Sequence, residues 1–84
     1  LVGSLPYPEY DNSNDAGIIA ISITVDPQGK VISAIATVNG SKGTAFSNPK
    51  LRASAEAAAR KSRFERSTGS SNQTGVIIYI FKQN

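Results

Sequence analysis

Residues 17–31 read Gly17-Ile18-Ile19-Ala20-Ile21-Ser22-Ile23-Thr24-Val25-Asp26-Pro27-Gln28-Gly29-Lys30-Val31, and their reading decides the fold. Ile19, Ile21, Ile23 and Val25 fall on one face of an extended chain, and Ile18, Ala20, Ser22 and Thr24 on the other. A period of two in β-branched residues predicts a half-buried strand. Asp26-Pro27-Gln28-Gly29 predicts a turn: the Pro27 ring presets φ at the second position, and Gly29 supplies a positive φ at the end. Lys30 to Val38 is then the return strand, and residues 17–38 form a β-hairpin. Within that return strand Val31 begins on the core side, yet Ala34, Ala36 and Val38 are the apolar set further along. A β-bulge near Ile32-Ser33 would turn both groups inward; simple alternation would not, and the residues alone leave the register open.

Working outward, residues 1–16 predict an irregular lead-in, with Pro6 and Pro8 flanking Tyr7 and disfavouring helix before them. Asn39 to Ser47 predicts a Gly/Ser-rich loop. Asn48-Pro49 predicts a helix start, with Asn as N-cap and Pro at the first helical position. Leu51, Ala55, Ala58 and Ser62 recur at helical spacing, with Phe64 beyond them, so the helix is expected over 48–63. Its alanines favour helix and are small enough to let it lie close on a sheet. Ser67 to Thr74 is polar and predicts a loop; Gly75 to Lys82 predicts a last strand, apolar on both faces. The order β-β-α-β predicts one α+β domain over residues 1–84: a three-stranded antiparallel sheet, strand order 2-1-3, with one helix packed on one face. The third strand then lies at an edge.

Composition narrows the chemistry. An 84-residue chain makes one domain, and a chain this short buries only about 60% of its unfolded surface. His, Cys, Met and Trp are absent. Ser-His and Cys-His nucleophiles, disulfides and thiolate or imidazole metal sites are therefore excluded. Ser47-Asn48-Pro49-Lys50 fits the S-x-x-K pattern of penicillin-binding enzymes, but the companion motifs are missing and the chain is far too short for that fold. Asp15, Asp26, Glu56 and Glu65 fall in loops or on the helix. No catalytic residue, metal or cofactor is expected. The longest apolar run, Val76 to Phe81, is too short for a membrane span of about 20 residues. With Leu1 at its start rather than Met, the chain is expected to be a fragment or a processed product.

Residues 49–66 carry Lys50, Arg52, Arg60, Lys61, Arg63 and Arg66 against Glu56 and Glu65. These read as a solvated helix face with cations near its C-terminus, where the helix dipole favours them. A nucleic-acid patch is the weaker alternative, since no aromatic or Gly-rich recognition loop is interleaved; it predicts salt-dependent binding. The edge carries the functional expectation. Gly75, Val76, Ile77, Ile78, Tyr79, Ile80 and Phe81 contain no proline and no charge before Lys82. Such an edge is an aggregation hazard unless covered. Either the lead-in or a second copy of the chain covers it, or a partner strand adds there.

Leu5-Pro6-Tyr7-Pro8, Val25-Asp26-Pro27-Gln28-Gly29-Lys30-Val31, Asn48-Pro49-Lys50-Leu51, Arg63-Phe64 and Gly75 to Phe81 occur in the order of a TonB C-terminal domain. The chain resembles that family over Pro6 to Lys82, and its last segment is similar to TonB-like proteins of Bacteroidetes. The resemblance implies the periplasmic end of an energy transducer, anchored to the inner membrane and joined to motor proteins there through a segment absent from this chain. It implies that Gly75 to Lys82 pairs with an extended segment of an outer-membrane receptor, with Leu5 and Tyr7 near the same partner. A TonB-like interaction domain of a sensor or protease, without a transport role, is the alternative, and a dimer through strand 3 stays open.

Overall fold

The computed structural model describes residues 3, 5–6, 8 and 15–82. The chain folds as β1 (Gly17–Val25), β2 (Val31–Gly43), a 3-10 turn (Thr44–Ser47), α1 (Pro49–Arg60) and β3 (Gln73–Phe81). The three strands form one antiparallel sheet in the order β2-β1-β3, with α1 on one face. This is the α+β arrangement that the sequence predicts.

The turn between β1 and β2 is built as its residues require. Gly29 has φ +89°, a conformation that costs any side-chain-bearing residue dearly. The Asp26 carboxylate accepts the amides of Gln28 and Lys30, both at 2.9 Å, and the Gly29 amide donates to the Asp26 carbonyl. A second constraint on Gly29 comes from outside the turn. The chain leaving α1 crosses directly over it: the Phe64 amide donates to the Gly29 carbonyl at 2.9 Å, and a Cβ on Gly29 would overlap the Phe64 carbonyl.

The bulge near Ile32 exists. Thr24 pairs with Ser33 and Val25 with Val31, so Ile32 is the extra residue. It points outward, and Val31 and Ala34 both reach the core. Val38 does not: it is 74% exposed. The expected end of the strand at Val38 is also corrected, as is the expected loop from Asn39 to Ser47. Residues 38–41 swing out between the pairs Ala20–Thr37 and Ile18–Lys42, and β2 then rejoins the ladder as far as Gly43. The excursion is held by a side chain in place of backbone: the Ser41 hydroxyl accepts the Ala20 amide at 2.9 Å and donates to the Thr37 carbonyl at 2.6 Å. Gly40, at φ +86°, folds over Ala20. Alternation puts Ala20 on the open face, yet it is fully buried.

In α1, Asn48 caps as expected, its Oδ1 accepting the amides of Lys50 and Leu51. The helix ends at Arg60, three residues before the expected Arg63. Lys61 and Ser62 donate to the carbonyls of Ala58 and Ala59, and Arg63 is already extended, bridged to Lys30. That pairing with the turn draws the chain out of the helix. β3 begins two residues earlier than expected and stops one earlier, because it pairs with β1 along its whole length: Gln73 opposite Val25, Phe81 opposite Gly17. Lys82 lies beyond that ladder.

One core lies between sheet and helix. Ile19, Ile21 and Ile23 of β1 and Ile77, Tyr79 and Phe81 of β3 meet Leu51, Ala55, Ala58 and Ala59 of α1. At about 25 cal/mol per Å² this apolar burial is the main stabilising term. The alanines carry little of that area; what they provide is close approach of helix to sheet.

Candidate functional site

A three-stranded sheet has two edges, and here they differ. The outer edge of β2 is interrupted twice, at Ile32 and at residues 38–41, and the helix closes what remains. Glu56 Oε2 accepts the amide of Ala36 at 2.8 Å, and Arg60 donates to the carbonyl of Ala34 at 3.3 Å. Two backbone groups that another strand would need are thereby engaged. Bulges and charged side chains are the usual devices that blunt a sheet edge.

The edge of β3 carries none of these. Its nine residues pair with β1 without a register shift, so the strand is regular. Among the described residues, no strand lies on its far side. In an antiparallel pair alternate residues turn their N–H and C=O away from the partner, so alternate residues of β3 direct these groups to the side away from β1. No charge and no proline lies between Gln73 and Phe81.

The expected site residues fall on three surfaces. Ile77, Tyr79 and Phe81 are buried and hold the strand to the core. Val76, Ile78 and Ile80 are exposed on the open face of the sheet; Ile35 of β2 is exposed on that face too, opposite Ser22 and so in line with Val76. Gly75 points inward, in register with Ile23. Lys82 is exposed past the strand end. Leu5 packs half-buried against the core. Tyr7 lies outside the described residues.

The basic residues are largely engaged in the fold. Arg52 donates to the Phe46 carbonyl at 2.9 Å and sits 5.4 Å from its ring. Arg63 donates to the carbonyls of Arg60 and Ser62, closing the helix C-terminus. Arg66 donates to Gln28 Oε1. Arg63 takes the role expected of a cation at a helix end; Arg52, in the first turn of α1, and Arg66, beyond the helix, take others.

Sequence reasoning missed the capping of β2 and one cavity. Glu56 and Arg60 read as surface charges; their spacing of four, beside an alanine face, was the available signal. The cavity, of about 210 Å³, is lined by Ile23, Val25, Asp26, Phe64, Glu65, Ser67, Gln73, Thr74 and Gly75. No β2 residue lines it, so it lies beneath β1 and β3 at the hairpin end of the sheet. Among the described residues, no three His, Cys, Asp or Glu side chains gather to hold a metal ion. No family model, no curated protein and no solved structure matches the chain.

Proposed function

We propose that this chain is a protein-binding domain that takes an extended segment of its partner as a fourth strand on the outer edge of β3. The asymmetry of the two edges carries the reading: β2 is bulged and capped by Glu56 and Arg60, whereas β3 runs in one unbroken register with no charge or proline from Gln73 to Phe81. Main-chain hydrogen bonds give affinity in such complexes, and side-chain pockets give selectivity. The resemblance to TonB C-terminal domains supplies the partner class. It is an extended segment of an outer-membrane receptor, met in the periplasm by a transducer that inner-membrane motor proteins drive.

The test is a titration followed by amide NMR signals, with a peptide carrying the plug-proximal N-terminal segment of an outer-membrane receptor. Signals of residues 73–81 should move first and furthest. Shifts elsewhere at saturation, with 73–81 unmoved, sink the edge reading. The exposed row Val76, Ile78 and Ile80 also suits a second copy of the chain. A sedimentation series in protein concentration separates a free edge from a self-occupied one.

A further inference from the structure

Asn39-Gly40 is the one Asn-Gly pair in the chain, and it stands in the excursion of β2. Both residues are exposed. Neither is in register with β1, because the ladder breaks off at Ala20–Thr37 and resumes at Ile18–Lys42. Gly40 has no Cβ, so its amide nitrogen is unhindered toward the neighbouring Asn39 carboxamide. The other described asparagines lack this arrangement. Pro49 after Asn48 carries no N–H, and Gln73 after Asn72 carries a full side chain.

The fold adds a second feature. The Thr37 hydroxyl donates to the Asn39 backbone carbonyl at 3.0 Å, a shorter contact than the 3.4 Å to the Ala20 carbonyl. The Asn39 carbonyl belongs to the peptide unit whose nitrogen is that of Gly40. When this nitrogen loses its proton, the charge spreads to the carbonyl oxygen through the resonance that keeps the peptide planar. A hydrogen bond to that oxygen favours the charged form. Lys42, the charged residue nearest along the chain, is a cation and favours it too.

We infer that Asn39-Gly40 is a self-modification site, at which the chain converts Asn39 to aspartate and isoaspartate without an enzyme. Hydroxide takes the Gly40 amide proton, and the nitrogen attacks Asn39 Cγ. The new N–Cγ bond closes a cyclic imide, and the side-chain nitrogen takes up protons from water and leaves as ammonia. Water then opens the imide at either carbonyl, and nothing is oxidised or reduced. Opening at Cγ gives aspartate on an unchanged backbone. Opening at the backbone carbonyl gives isoaspartate, whose main chain runs through Cβ and is longer by one atom. Each product adds a negative charge to the excursion. The longer backbone also shifts Gly40 from its place over Ala20, where a Cβ on Gly40 would come within 3.2 Å of the Ala20 Cβ. None of this chemistry needs a strand added to β3.

The experiment incubates the folded chain in buffers from mildly acidic to mildly alkaline pH and follows each asparagine by peptide mass mapping, with isoaspartyl methyltransferase marking isoaspartate. Conversion at Asn39 should speed up about tenfold per unit of pH, as the amide anion does. Asn72 should lag by at least about tenfold, because the Gln73 side chain hinders the same attack. Asn39→Gln keeps the backbone and should stay unconverted. Thr37→Val should slow conversion several-fold, and Thr37→Ser, which keeps the hydroxyl, should restore it. The isoaspartate fraction, separated by ion exchange, should show faster hydrogen exchange at Ala20 than Asn39→Asp does. No conversion at alkaline pH, or equal conversion at Asn39 and Asn72, overturns the site. Equal rates in wild type and Thr37→Val overturn the part given to the fold. Unchanged exchange at Ala20 in the isoaspartate fraction overturns the effect on the excursion.

Discussion

Glu56 Oε2 lies 2.8 Å from the amide nitrogen of Ala36. Through that bond the helix, besides covering the sheet, also closes the side of it where pairing is unwanted. Arg60, one turn on, takes the Ala34 carbonyl. Two residues of β2 are thus held by two side chains of one helix, whereas the opposite edge runs from Gln73 to Phe81 in unbroken register with β1.

Glu56→Ala should expose that amide and cost about 1 kcal/mol, the usual loss when a partly buried donor is left unmatched. In a domain of this size that lowers Tm by about 4–8 °C. Glu56→Gln keeps an acceptor oxygen in reach and should restore most of the loss. Thermal unfolding followed by circular dichroism checks both. Equal Tm values for wild type and Glu56→Ala would mean that the bond adds nothing to β2.

Gly29→Ala should be more damaging than its small size suggests. It forces a side-chain-bearing residue to φ +89°, worth about 1–2 kcal/mol, and its Cβ overlaps the Phe64 carbonyl. The expected total is at least about 2 kcal/mol in urea unfolding. A loss near the propensity difference alone would show that the chain after α1 moves aside freely. If it does, the cavity under Phe64 should change with it, and the Phe64 and Glu65 amide signals should report this.

The parts of the fold that local chemistry determines could be read from the sequence: the alternation of Ile19, Ile21 and Ile23, the Asp26–Gly29 turn, the Asn48-Pro49 cap. Strand order followed from the element order and the apolar last strand. The rest depended on contacts between residues far apart in the chain. Glu56 reaches Ala36 across twenty residues, and nothing local distinguishes it from a solvated glutamate. Asn39-Gly40-Ser41 reads as a loop because it leaves the ladder; only Lys42 and Gly43 opposite Ile18 and Gly17 reveal that the strand resumes. The edge itself was legible, since Gly75 to Phe81 lacks any charge or proline. The cavity was not: it forms beside Gly75 because Phe64 returns over the turn.

Ser41→Ala should test the excursion of β2. The Ser41 hydroxyl accepts the amide of fully buried Ala20 and donates to the Thr37 carbonyl. Its removal leaves a buried amide unmatched, which costs about 1–3 kcal/mol. Hydrogen exchange at Ala20 should speed up more than exchange at Ile21 or Ser22. Uniform acceleration along β1 would mean that the bulge and the strand open as one unit.

Neighbours on β3 should respond in opposite ways. Tyr79 is among the largest fully buried side chains, at 1% exposed, whereas Ile78 beside it is 47% exposed on the open face. Tyr79→Ala removes an aromatic from a thin core. By analogy with other aromatic truncations it should cost about 3–5 kcal/mol, a large share of the roughly 5–15 kcal/mol that holds a typical domain. Far-UV circular dichroism should show much of the sample unfolded at 37 °C. Ile78→Lys should leave urea stability within about 0.5 kcal/mol, because its side chain already meets water. What it should change is association: a cation in the row Val76, Ile78 and Ile80 opposes stacking of two open faces, so any dimer built on that face should vanish from sedimentation profiles. A dimer that persists in Ile78→Lys but dissociates when an edge-binding peptide is added places self-pairing on the β3 edge and not on the sheet face.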